Sequence, residues 1–114
     1  MYAVYVVVYS PDGKFLACSG EDKTIHLYNK KYEEEFVLSD AKDSLWTLAF
    51  SPNGLYLASG GADKMLRIYE FQKRKLKFTL KYDHNHIYSI SFTPDSKYIV
   101  TGGADKIIKL IDVS

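Results

Sequence analysis

Asp83, His84 and His86 stand together in one short stretch, and imidazoles two residues apart beside a carboxylate are a pattern that can begin a metal site. With no wider cluster around them, they read as the polar entry to a strand. Cys18 is the single thiol of the chain. It lies among small residues without a His/Asp constellation, so it does not read as a nucleophile. The run Lys73-Arg74-Lys75-Leu76-Lys77 could meet phosphate or acidic lipid, and Glu33-Glu34-Glu35 opposes it at a corresponding turn. Both read as solvated turns. Nothing converges as the carboxylates, histidines or metal of a hydrolase or lyase must. The expectation is therefore no catalytic residue, no metal, no cofactor and no small-molecule substrate.

More regular positions carry a different message. Asp22, Asp63 and Asp105 are each followed by lysine, and Cys18, Ser59 and Thr101 stand four residues ahead of them in turn. A carboxylate at such a place closes a tight turn by accepting backbone N–H bonds, and one buried without partners would cost a few kcal/mol. Tyr5, Trp46 and Tyr88 place one aromatic at the same point of three similar apolar segments. Aromatics are favoured anchors of protein interfaces; the competing use is packing between stacked sheets.

These positions coincide because the chain repeats. Val4 to Asn29, Leu45 to Glu70 and Ile87 to Asp112 align without a gap, and Pro11, Pro52 and Pro94 recur at an interval of forty-one or forty-two residues. Each copy reads as all-β. The first strand is apolar on both faces, as in Leu45-Trp46-Thr47-Leu48-Ala49-Phe50, which suits burial on both sides. Strict alternation sets Trp46, Leu48 and Phe50 on one face against Thr47 and Ala49 on the other. A Ser/Thr-Pro-Asp/Asn turn follows, then a second strand, a turn around the aspartate and a third strand. In the third strand Ile25 and Leu27, Leu66 and Ile68, and Ile108 and Leu110 share one face. The other face carries His26, Arg67 and Lys109, read as solvated. Fourth strands fit Glu34 to Leu38 and Leu76 to Lys81. Four-stranded sheets at this period describe a propeller, and eleven strands with essentially no helix are expected.

Composition agrees. The chain has 114 residues, 46% hydrophobic and 25% charged, with 15 basic against 14 acidic side chains. Such a balance predicts a soluble globular chain and no polyanionic partner, so nucleic acid is not expected. The lone cysteine excludes an intrachain disulfide and points to a reducing, intracellular compartment, cytoplasmic or nuclear. The apolar start, Tyr2 to Tyr9, is too short to span a bilayer and lacks the basic flank of a secretory signal.

Phe-Ser-Pro-Asn-Gly, Leu-Ala-Ser-Gly-Gly-Ala-Asp-Lys and Leu-Arg-Ile-Tyr-Glu in the second copy resemble the WD-repeat family over nearly the whole chain. The signature dipeptide is degraded to Tyr28-Asn29, Tyr69-Glu70 and Ile111-Asp112. The resemblance implies a hydrogen-bonded set of Asp, His, Ser/Thr and Trp in each blade. By position Asp22, Asp63 and Asp105 match the aspartate, Ser59 and Thr101 the hydroxyl, and His84 the histidine. Cys18 takes the hydroxyl place in blade one and no blade keeps the tryptophan, so no full set survives. The resemblance also puts Tyr5, Trp46 and Tyr88 near a mouth of the propeller, where partner peptides dock.

The resulting expectation is an open, partial propeller: blade one over 1–40, blade two over 41–82 and blade three over 83–114 without its outer strand. Three blades cannot close a ring. An end face baring on the order of 500 Å² of apolar surface forfeits roughly 12 kcal/mol, comparable to the whole stability of a domain, about 5–15 kcal/mol. The expected function is a non-catalytic protein–protein interaction scaffold, part of a larger propeller or assembly, whose partners are other subunits or itself through the open end faces. A truncated propeller fragment without independent function and a propeller-based enzyme are the alternatives.

Overall fold

The structure, a computed structural model, describes residues 2–81, 86–103 and 108–113. Eleven strands and no helix are found among the described residues. The strands are β1 (Val4–Tyr9), β2 (Leu16–Gly20), β3 (Ile25–Tyr28), β4 (Glu34–Leu38), β5 (Leu45–Phe50), β6 (Tyr56–Gly61), β7 (Met65–Glu70), β8 (Lys75–Lys81), β9 (Ile87–Phe92), β10 (Tyr98–Gly103) and β11 (Ile108–Asp112). They form three antiparallel sheets in chain order, β1 to β4, β5 to β8 and β9 to β11. These are the expected three blades, open and not closed into a ring.

Each first hairpin is closed by its own side chains. The Ser10 hydroxyl accepts from the Phe15 amide at 3.0 Å and donates to Asp12 at 2.7 Å. Ser51 does the same with Tyr56 and Asn53, and Thr93 with Tyr98 and Asp95. The recurring Ser/Thr-Pro-Asp/Asn is thus a turn that satisfies its own polar groups. Gly13 and Gly54 follow it with φ of 73° and 76°, and Ser96 takes a similar 63° where glycine is missing.

The apolar faces meet between blades. Ala17, Ile25, Leu27 and Leu38 of blade one pack on Leu45, Leu48, Leu57, Tyr69 and Phe71 of blade two. Ala58, Leu66 and Ile68 on the other side of blade two pack on Ile87, Ile90, Phe92, Ile99 and Val113. A blade between two others therefore needs apolar residues on both faces, which is why its inner strand does not alternate cleanly. The first strands β1, β5 and β9 lie side by side. Across the junctions, Arg74 reaches Glu35 at 3.2 Å and stacks over Phe36, while Lys77 donates to the Val113 carbonyl at 3.3 Å. Part of the basic run thus serves blade-to-blade contact.

Strict alternation fails at one point of each inner strand. The register skips Tyr5 between Val4 and Val6, Trp46 between Leu45 and Thr47, and Tyr88 between Ile87 and Ser89. Each aromatic is the extra residue of a β-bulge, which bends the strand and redirects a side chain. Trp46 consequently parts from Leu48 and Phe50, and Leu45 joins them in the core. Glycine is required opposite the bulge: a Cβ on Gly61 would stand 2.2 Å from the Ser44 carbonyl oxygen, and one on Gly20 2.0 Å from that of Ala3.

Candidate protein-interaction site

The turn aspartates hold the rim on which the bulges open. Asp63 accepts from the Met65 amide at 3.1 Å and from the Lys42 amide at 3.0 Å, so it ties its own turn to the segment entering β5. Its second oxygen also meets the Arg67 guanidinium at 2.6 Å, with both side chains almost fully buried, 5% and 4% exposed. Asp22 accepts from the Thr24 amide and hydroxyl and from His26 at 2.7 Å. The other imidazole nitrogen of His26 reaches Glu34 on β4.

Where the sequence pattern suggested solvated side chains, Arg67 is thus sealed, and His26 is paired although still partly exposed. They lie four residues on from the aspartates, near the start of the following strand, close enough for their charged heads to fold back onto them. The signal was present in the recurrence of Asp followed four residues later by Arg or His. Partial burial opposes charging His26, but its bonds to Glu34 and Asp22 outweigh this and hold its pKa above the ordinary value. Burial likewise opposes the Asp22 anion, and the bonds from His26 and Thr24 overcome it, lowering that pKa.

Ser59 is buried and its hydroxyl finds no partner of normal geometry. Tyr69, at the first place of the degraded dipeptide, is buried beside Asp40; burial foremost, and then that carboxylate, raise the phenol well above its usual pKa. Thr101 is buried on β10. Cys18 is half-buried, and burial followed by the Asp22 charge pushes its thiol upward, the reverse of an activated thiolate. Asp105 and His84 lie outside the described residues. Among the described residues, no group of three or more His, Cys, Asp or Glu side chains is placed to hold a metal.

The bulge aromatics occupy one rim. Trp46 and Tyr88 stack with ring centroids 5.4 Å apart, and His86 meets Trp46 edge-on at 5.0 Å. Tyr88 and Tyr5 are exposed, and Trp46 is half-buried.

The two end faces are further apolar surfaces. In repeat register Val7, Leu48 and Ile90 are equivalent. Leu48 and Ile90 are 4% and 7% exposed because a preceding blade covers them, whereas Val7 is 56% exposed. Val4 and Tyr9 are exposed on the same face. At the opposite end Leu110 is 64% exposed, while its equivalents Leu27 and Ile68 are fully buried by a following blade.

The sequence model described as WD domain, G-beta repeat matches residues 2–29, 33–70 and 74–112. The second and third of these matches begin at the outer strand of one sheet and end with the third strand of the next. No curated protein matches the chain by sequence. Among solved structures, that titled "Crystal structure of RRP9 WD40 repeats" superposes with a TM-score of 0.94 at 19% identity, over 99% of this chain and 36% of that one. The chain therefore spans about a third of the length of the structure it matches.

Proposed function

Because the chain belongs to the WD40 repeat family, whose fold is generally a non-catalytic scaffold, we propose that it is an interaction module completed by further blades at both ends. The reading is carried by one observation: Val7 and Leu110 stand open at positions whose repeat equivalents are buried by a neighbouring blade. Each end face accordingly has the chemistry of an inter-blade face, and the covering blade comes from a longer polypeptide, another subunit or a second copy. The rim aromatics Trp46 and Tyr88, with Tyr5, supply a second surface suited to anchoring a partner, since large half-exposed rings bury much area at little entropic cost.

Light scattering of the purified chain tests the proposal. The wild-type chain, 13.0 kDa as a monomer, is expected to gain mass with concentration. The Val7→Glu/Leu110→Glu double variant is expected to remain a folded monomer. A wild-type chain that stays monomeric and well folded at high concentration contradicts the proposal.

A further inference from the structure

The three first-hairpin turns share one side-chain design. Asp12, Asn53 and Asp95 stand at equivalent places, and an oxygen of each accepts from a Ser or Thr hydroxyl and from the backbone amide two residues on. For Asn53 the donors are the Ser51 hydroxyl at 2.6 Å and the Leu55 amide at 3.0 Å. Blade two alone puts a side-chain amide there with glycine after it, since Asp12 precedes Gly13 and Asp95 precedes Ser96. The other asparagines, Asn29 and Asn85, precede Lys30 and His86.

Asparagine before glycine is an arrangement in which a chain can modify itself. Asparagine is a thermally labile residue, and glycine leaves its own backbone nitrogen unshielded and conformationally free. Pro52 and Asn53 are exposed. A Cβ on Gly54 would meet nothing within 4 Å, so a ring formed there has room. The two donors on the Asn53 Oδ1 draw electrons from Cγ. They are in place to receive the negative charge that attack at Cγ develops, as oxyanion-hole donors do. One contact opposes the reaction: the Gly54 N–H donates to the Ser51 carbonyl at 2.9 Å and must first be released. At a solvent-exposed turn such a bond opens at low cost.

We propose that Asn53 is a deamidation site, converted in the folded chain to an aspartate that the turn is already built to hold. The Gly54 nitrogen loses its proton to solvent base and attacks Cγ of Asn53. The N–Cγ bond forms, the Cγ–Nδ2 bond breaks, and the side-chain nitrogen leaves as ammonia with a proton from water. Water then opens the cyclic imide. Cleavage at Cγ restores the normal backbone with aspartate at position 53, whereas cleavage at the backbone carbonyl carbon leaves isoaspartate, with an extra carbon in the main chain. Aspartate fits, because Asp12 and Asp95 already make the same bonds. The Lys14 amide and Ser10 hydroxyl hold the first carboxyl below its ordinary pKa, and the Thr93 hydroxyl and Lys97 amide do so for the second. Isoaspartate does not fit, since the added atom spoils the closure from Gly54 to Ser51. It also disturbs the Asn53 amide that donates to Ser96 at 3.0 Å and joins blades two and three. Asp12 is spared, although Gly13 follows it, because an ionised carboxylate is a poor electrophile. The reaction involves neither end face nor the aromatic rim, so it stands or falls separately from the scaffold reading.

Peptide mapping by mass spectrometry of the full chain, kept folded at mildly alkaline pH and sampled over time, tests the proposal. The mass gain of amide-to-carboxyl conversion is expected at Asn53 ahead of Asn29 and Asn85. Its rate should rise with pH, because the attacking nitrogen must be deprotonated. Gly54→Ala, in a backbone geometry close to the φ of 63° that Ser96 already adopts, should slow the conversion severalfold. Asn53→Asp should melt with the wild type, and in aged chain only the isoaspartate fraction should melt earlier. The proposal is overturned if Asn53 keeps its amide while the chain is folded and loses it only in denaturant. It is equally overturned if Gly54→Ala converts as fast as the wild type, or if Asn53→Asp melts clearly below it.

Discussion

Blade two has a neighbour on each side and blade one has a neighbour on only one, and the same repeat positions behave differently in the two. In blade two the turn aspartate and its partner are buried as Asp63 and Arg67; in blade one the half-buried pair Asp22 and His26 takes their place. Leu48 lies in the core, while Val7 meets solvent. The repeat fixes which residues form the turn and the strand, but the neighbouring blade decides what each is worth. A guanidinium sealed between blades is held by a charge-assisted bond that water cannot replace. An imidazole at an open end can be replaced by water at little cost.

The largest effect should follow from breaking the sealed pair. Arg67→Ala leaves the Asp63 carboxylate buried and unpaired, and is expected to cost about 3–5 kcal/mol by chemical denaturation. His26→Ala, at the equivalent place in blade one, should cost under about 1 kcal/mol because its partners remain solvated. Equal costs would mean that the neighbour does not set the value of the pair.

Next come the apolar equivalents. Leu48→Ala removes a side chain packed between two blades and should cost about 2–5 kcal/mol. Val7→Ala should change stability by less than about 0.5 kcal/mol when measured on dilute chain, where the end face is bare. As concentration rises, Val7→Ala should begin to weaken association, which Leu48→Ala would affect only through folding.

The smallest effect is a pH dependence. The raised pKa of His26 makes its contribution complete below the ordinary value of 6.5 and lost as pH climbs through the folded-state value. Asp22, with a lowered pKa, contributes above the ordinary 3.8 and loses its contribution as pH falls through the folded-state value. Stability measured as pH rises from the ordinary imidazole value of 6.5 should therefore fall slightly for the wild type. The decline should be absent in His26→Gln. A matching decline in that variant would assign it elsewhere.

Much of this architecture was legible in the chain. Pro11, Pro52 and Pro94 gave the period, and the apolar segments between them led to eleven strands in the order found. The bulges were not legible, because period-two alternation puts Trp46 with Leu48 and cannot register an extra residue that shifts the pleat. Arg67 also misled, since a charge on the polar side of a strand looks solvated until its partner Asp63 in the same blade, and the blade packed over them, are seen. The bond from Asn53 to Ser96 joins residues 43 positions apart, and only the stacking of blades brings them together. What sequence periodicity conveys is the blade; what it omits is the junction.

The junction is also where the central claim can be tested most directly. Val7→Glu blocks only the face of blade one, and Leu110→Glu blocks only the face of blade three. If each end face accepts the opposite face of another chain, each variant alone is a monomer. A mixture then forms a one-to-one dimer through the two faces left intact, which light scattering would register as a doubling of mass. Mixtures that remain monomeric, or single variants that still pair with themselves, would contradict the account of the end faces as blade-docking surfaces.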